Sequence, residues 1–369
     1  MVKILIYSHG VLNPSWRQKF TRLSKLNHID LVCICPNKWT ENGNTLKIIN
    51  KEEYPIHQLT AFFQGHIPYY FYNASKIKTI LEDFQPEVIY SEVEPWAVAS
   101  YQLVKLKQKY CPNAKLVQRS AETFTARNID NWVFKKIKKF VLSSVDRLIV
   151  PSRLAREHMC NFYKGDIIII PNHLDTDIFK PINRDPNPRL VIGYVGRIVP
   201  EKGLTELFKA VKQFEIVLYV IGDGPKEYID FLKQKKTKCT VKWFGHIDDQ
   251  LELSKLYNQM DIFVLPSRKT TLWEEYFGRV LIEAMGCGVA VIGSDSGAIP
   301  EVIGDSGLIF KQRDFKDLRD KINHLRIDDF RKIYRQNALL KSQRYSVDII
   351  AKQLKKNLLT VLYSASPAI

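Results

Sequence analysis

Short apolar runs alternate along the chain with longer segments in which apolar residues recur every three or four positions, the first reading as buried strands and the second as amphipathic helices. In the first half the strand-like runs fall at 3–7, 31–35, 88–90, 116–118, 148–150 and 167–170. A second series follows at 190–195, 217–221, 241–244, 262–265 and 289–292. Strands alternating with helices predict an α/β fold of doubly wound, mostly parallel sheets, and two series predict two Rossmann-like domains. The stretch 171–189, PNHLDTDIFKPINRDPNPR, is rich in proline, asparagine and aspartate and marks the boundary. The expected organisation is therefore a domain over 1–172, a second over 173–345, and a closing segment over 346–369. That segment opens with an amphipathic helix at 346–363 whose stripe is Ile349, Ile350, Leu354, Leu358 and Leu362. Ligands of such sheets sit beyond the carboxyl ends of the strands, so tandem sheets predict a cleft site that both domains share.

At 369 residues the chain is long enough for two cores. No apolar run is long enough to span a bilayer, and MVKILIYSHG reads as a first strand rather than a leader, which predicts a cytoplasmic protein. The six cysteines are scattered, with no disulfide or zinc spacing. A net charge of +16 implies attraction to polyanions: nucleic acid, an anionic membrane surface or a phosphorylated substrate.

The stretch 267–301, SRKTTLWEEYFGRVLIEAMGCGVAVIGSDSGAIPE, holds the most specific chemistry. Val280, Leu281, Ala284, Met285 and Cys287 recur at helical spacing after Gly278, so Glu283 belongs on a helix and Glu275 in the loop before it. The backbone N–H groups of Phe277, Gly278, Arg279 and Val280 would open that helix, an arrangement that suits a phosphate. Earlier, Gly196 and Arg197 follow a strand and Lys202 follows five residues on, placing two cations where a diphosphate could lie. Gly222 and the pair Gly245–His246 make tight turns after the next two strands.

These motifs, E-Y-F-G-R-V-L-I-E with its following glycine-rich run and G-R-I-V-P-E-K-G, resemble the retaining glycosyltransferases of family 4, whose mark is two glutamates separated by seven residues. The resemblance is close over 171–310 and looser before it. It implies a GT-B fold, two Rossmann-like domains facing each other across a cleft, with the last helix returning to the N-terminal domain. It implies transfer of a sugar from a nucleoside diphosphate donor, UDP- or GDP-linked, to a hydroxyl acceptor, a glycan or glycolipid, with retention and with no metal or other cofactor.

By the same resemblance Arg197 and Lys202 neutralise the departing diphosphate, and Glu275 touches the donor sugar. Glu283 accepts from the ribose hydroxyls, while Gly196, Gly222, Gly245, His246, Tyr276, Phe277, Gly278, Arg279 and Val280 line the donor site. Tyr276 stands where the family commonly has glycine. For the acceptor half, the family's double glycine in the first loop is reduced to Gly10, beside His9. Its histidine after the fourth strand is absent, which leaves Arg119 or Glu122 for that space.

Three further readings stay open. Asp175-Thr176-Asp177 could hold a divalent metal, which would make a metal-dependent transferase, although PNHLDTDIFKP resembles the family's interdomain segment. The helix-like WVFKKIKKFVL at 132–142 suits adsorption to anionic lipid as well as it suits a helix whose apolar face enters a core. Basic charge could also serve a nucleic-acid-binding protein, but no motif of that class is present, so nucleic acid is not an expected partner.

Overall fold

The computed structural model describes residues 1–41, 44–48, 52–123 and 131–363. It divides into two compact units, one made of 1–171 with 347–369 and the other of 172–346. The last residues of the expected closing segment, 364–369, lie outside the described residues.

The first unit is built on a seven-stranded sheet. In chain order its strands are β1 (Val2–Tyr7), β2 (Ile29–Pro36), β3 (Ile56–Leu59), β4 (Val88–Ser91), β5 (Lys115–Arg119), β6 (Arg147–Val150) and β7 (Asp166–Ile169). They lie side by side in the order β7-β6-β5-β4-β1-β2-β3, with every pairing parallel. Central strands are apolar on both faces because helices cover both, as in β4, which is buried throughout. The chain reverses direction of travel between β1 and β4, whose carboxyl ends pair Tyr7 with Ser91 in register.

The α/β fold and its parallel sheets are those expected. The apolar pattern missed β3, because Ile56–Leu59 is an edge strand with exposed His57 and Gln58 at its centre and no apolar run to mark it. It also missed two short hairpins, Trp39–Glu41 with Asn44–Leu46 and Ala61–Phe62 with Phe71–Tyr72. Both helix readings need adjustment. The closing helix, Val347–Thr360, belongs to the first unit and buries Val347, Ile350, Ala351, Leu354 and Leu358. Ile349 is 40% exposed, since the stripe at 347, 350, 351, 354 and 358 leaves position 349 round the side of the helix. Arg147 ties the helix down, its Nη1 donating to the Asn357 carbonyl and Thr360 Oγ1 at 2.7 Å each. The helix Trp132–Leu142 spends its stripe on the protein: Phe134, Val141 and Leu142 are buried, and only Trp132 and Val133 stay exposed among its large apolar residues.

The second unit has a six-stranded parallel sheet: β8 (Val191–Val195), β9 (Val217–Ile221), β10 (Thr240–Gly245), β11 (Ile262–Leu265), β12 (Ala290–Ser294) and β13 (Leu308–Phe310). The order is β10-β9-β8-β11-β12-β13, so this unit too reverses between its first and fourth strands. The short edge strand β13 went unread in the sequence. Two apolar layers flank the sheet, one around Met260, Phe263 and Leu281 and one around Ile192, Val220 and Ile292. Loops at the carboxyl ends of β8, β9, β10 and β11 carry most of the residues singled out above.

Candidate active site

Glycine sets how close those loops come. Gly222, φ 131°, follows β9, and a Cβ there would lie 1.9 Å from the Gly196 carbonyl oxygen, so no other residue fits without parting the loops. The Gly222 amide donates to the Gly245 carbonyl at 2.7 Å, and the Gly196 amide to the Ile221 carbonyl at 3.0 Å. The turns after β8, β9 and β10 are thereby sewn together by their own backbones into a shelf. Gly203 is equally confined: a Cβ would meet the Pro266 carbonyl oxygen at 1.8 Å.

Arg197 lies on this shelf with its side chain 57% exposed, loosely paired with Glu201 at 3.9 Å. Its backbone is pinned by Tyr194, whose hydroxyl donates to the Arg197 carbonyl at 2.6 Å. Lys202 points the other way, into a buried ion pair with Glu275: Nζ to Oε2 is 2.6 Å, with both side chains mostly buried. Ser267 Oγ donates to the same carboxylate oxygen at 3.2 Å, and the Trp273 ring lies under the ammonium, 4.5 Å from Nζ to centroid. The Glu275 loop is anchored through its main chain, since its carbonyl accepts from Ala298 N at 2.8 Å and a Cβ on Gly297 would sit 2.1 Å from that oxygen.

After Glu275 the chain passes Tyr276, half-buried, and Phe277, which is buried edge-on against Tyr345. It then enters the helix Arg279–Gly286. Gly278 stands at its N-cap with φ 82°, and no side chain among the described residues caps it. The helix therefore opens on the backbone N–H groups of Arg279 and Val280. Glu283, one turn in, is buried; its Oε2 accepts from the Tyr257 hydroxyl at 3.0 Å and its Oε1 lies 3.1 Å from Arg279 Nε. Burial pushes the Glu283 carboxyl above its ordinary range, opposed by the Arg279 charge and the Tyr257 hydrogen bond. His246 is exposed and pairs with Asp248 at 2.9 Å.

Lys202 and Glu275 are thus joined directly, as are Arg279 and Glu283, while Gly196, Gly222 and Gly245 meet through backbone. Three contributors had no signal in the sequence. Ser267, Trp273 and Tyr257 serve Glu275, Lys202 and Glu283, and Tyr257 comes from a helix, Gln250–Asn258, far away in the chain.

In the first unit His9 is half-buried between Trp39 and Tyr70, at ring distances of 4.9 and 5.8 Å. Burial pushes its imidazole down to about 4, so it is neutral at pH 7. Gly10 lies in a helical turn and donates its amide to Ser8 Oγ. Arg119 donates to the Ile170 carbonyl at 3.1 Å and faces Glu92 at 3.9 Å, where Lys19 and Tyr90 also converge on Glu92 Oε1. Glu122 is buried, its Oε1 held by Lys138 at 2.9 Å and near His158 at 3.3 Å.

Asp175 Oδ1 accepts from the Asp177 amide at 2.9 Å, a local turn. Among the described residues no three histidine, cysteine or carboxylate side chains gather as metal ligands.

Two parallel sheets, each switching direction between its first and fourth strands, with cations and glutamates on the strand-end loops of the second, are those of a GT-B fold. Residues 175–340 match the family described as glycosyl transferases, group 1. It is similar to the capsular polysaccharide biosynthesis glycosyltransferase CapM of Staphylococcus aureus, 30% identical over 58% of this chain and 63% of that protein. Among solved structures it resembles sucrose-phosphate synthase from Thermosynechococcus elongatus, with a TM-score of 0.77, 18% identity, and 99% of this chain and 100% of the other covered. It also resembles HepE from Anabaena in complex with UDP, with a TM-score of 0.70, 16% identity, and 98% and 100% covered. The chain spans less than two thirds of the length of the curated relatives it matches. Among the described residues no helix is long and apolar enough to cross a membrane.

Proposed function

We propose that this chain is a retaining, metal-independent glycosyltransferase that moves a sugar from a nucleoside diphosphate sugar to a hydroxyl acceptor in the synthesis of a cell-surface glycan or glycolipid. The observation that carries the reading is the Lys202–Glu275 pair, a buried cation and carboxylate on the strand-end loops whose turns glycine brings together. On this reading the diphosphate lies along the shelf, where Arg197 and Lys202 oppose the charge that develops as it leaves. The first-turn amides after Gly278 receive a phosphate oxygen. Glu283 accepts from the ribose hydroxyls, and Glu275 orients the sugar and favours positive character at its anomeric carbon.

Transfer then breaks the bond from the anomeric carbon to the phosphate oxygen and forms one to the acceptor oxygen on the same face. The acceptor proton passes to the departing diphosphate, so the protein supplies no base. On this reading Arg197 and Lys202 take the neutralising part that a metal would otherwise play. Contact with an anionic membrane through the helix Trp132–Leu142 would rest on Trp132, Val133 and the exposed lysines, because its stripe and Lys138 are buried.

Donor hydrolysis tests the reading. UDP-, GDP- and ADP-sugars are incubated with the protein and a chelator, and NMR reads the first-formed anomer before it mutarotates. Retention at an undiminished rate is expected; inversion, or a chelator-sensitive rate restored by magnesium, contradicts it.

A further inference from the structure

Five exposed aromatic residues of the first unit, Phe62, Phe63, Tyr69, Tyr101 and Trp132, stand on elements that pack on one another. The hairpin Ala61–Phe62 with Phe71–Tyr72 lies on the helix Val98–Tyr110, where Gln102 exchanges hydrogen bonds with the Tyr72 main chain at 3.0 and 2.7 Å. That helix packs on Trp132–Leu142, with the Tyr101 and Phe140 rings 5.1 Å apart, and Tyr69 meets Phe134 of the same helix at 5.6 Å. Phe63 has φ 54°, a left-handed backbone that bulky residues adopt only at a cost. The residue is nevertheless 65% exposed, so packing of its ring does little to offset the strain. The turn behind it is tightly held. Gly65 has φ 82°, and a Cβ there would lie 2.4 Å from the Thr40 carbonyl oxygen, while the Tyr69 and Tyr70 amides both donate to the His66 carbonyl. A fixed turn thus keeps Phe62 and Phe63 in water.

We propose that this face docks on an anionic lipid bilayer, with Phe62 and Phe63 entering the acyl boundary. Residues 61–72 and the two helices contain no aspartate or glutamate. Lys105, Lys136 and Lys139 are exposed there and are not ion-paired among the described residues, and Lys136 lies 4.7 Å from the Trp132 ring centroid. Lysines beside aromatic rings suit the headgroup layer of an anionic membrane, where tyrosine and tryptophan keep their polar tips wet. The same charge argues against a second copy of this chain as the occupant, since two acid-free basic faces repel each other. The helix Trp132–Leu142 alone offers little apolar surface, its stripe being buried, and the hairpin supplies what it lacks. The assignment deepens the glycolipid reading and rests on it only in taking the acceptor to be lipid-linked.

The test is co-sedimentation of the full chain with vesicles rich in phosphatidylglycerol and with vesicles of phosphatidylcholine alone. The anionic vesicles should bind at least tenfold more tightly. Phe62→Ser/Phe63→Asn should weaken that binding about tenfold, while the urea unfolding midpoint holds or rises, because asparagine tolerates the left-handed backbone at 63. Lys136→Glu/Lys139→Glu should remove the preference for phosphatidylglycerol. Leu340→Ser, at a residue of the second unit that is 64% exposed, should change nothing. No vesicle binding by the parent, indifference to either pair of substitutions, or an equal loss in Leu340→Ser would overturn the proposal. Nucleoside diphosphate binding measured on the same samples reports separately on the donor reading: if it persists while vesicle binding fails, only the docking face falls.

Discussion

Replacing Lys202 with methionine separates what the buried ion pair does for stability from what it does for chemistry. The side chains of Lys202 and Glu275 are 13% and 7% exposed, and Nζ to Oε2 is 2.6 Å. Removing the cation leaves a carboxylate in a site that water barely reaches, helped among the described residues only by the 3.2 Å hydrogen bond from Ser267. Breaking a buried pair from one side costs about 3–5 kcal/mol, and with Ser267 still donating the lower end, about 3 kcal/mol, is expected. In a unit of this size that lowers the unfolding midpoint by about 6–12 °C. If Lys202 also opposes charge on the leaving diphosphate, transfer loses a further ~2–4 kcal/mol of transition-state stabilisation, about 30- to 1,000-fold in rate. The double variant Lys202→Met/Glu275→Gln decides between the two effects. It removes the orphaned charge, so urea unfolding should return to within about 1 kcal/mol of the parent, while donor hydrolysis stays slow. A Lys202→Met protein that hydrolyses donor at the parent rate would refute the catalytic role, and an unchanged unfolding midpoint would refute the buried-pair energetics.

Gly222→Ala forces a Cβ toward the Gly196 carbonyl oxygen at 1.9 Å from a left-handed backbone, so a loss of about 2 kcal/mol or more and weakened nucleotide binding are expected by denaturant unfolding and calorimetry. Arg197→Ala, at an exposed position, should leave stability within about 0.5 kcal/mol of the parent but slow donor hydrolysis by roughly 2–4 kcal/mol; a normal rate would remove Arg197 from the mechanism. Burial, with the Glu122 charge behind it, pushes the Glu94 carboxyl from an ordinary 4.5 up to about 7. The folded protein therefore holds a proton that the unfolded chain gives up, and this contribution is full below about pH 4.5 and is lost as the pH rises to about 7. Glu94→Gln should flatten the fall in melting temperature over that interval, and a parallel fall in both proteins would count against the assignment.

Period and punctuation in the chain carried most of the fold. Runs such as Val217–Ile221 are apolar at every position because both faces are covered, and the tight turns after them carry glycine because backbones must touch there. Elements without such a signature stayed hidden: Ile56–Leu59 is an edge strand with polar residues at its centre, and Leu308–Phe310 is too short to stand out. Within the site, residues close in sequence were legible from spacing. Their partners were not, because Tyr257 reaches Glu283 and Ser267 reaches Glu275 only through tertiary packing. The first-unit residues were least legible of all. Nothing in QRSAE around Glu122 foretold that Lys138, from a helix read as a membrane or core stripe, would be its buried partner.

The central claim is that the second unit holds a nucleoside diphosphate without metal and through Glu283. Calorimetric titration of UDP, GDP, ADP and CMP in the presence of chelator, for the parent and for Glu283→Ala, tests it most directly. The account predicts that one nucleoside diphosphate binds the parent with chelator present and that Glu283→Ala weakens it at least tenfold. No binding of any nucleoside diphosphate by the parent, or equal binding by Glu283→Ala, would contradict it.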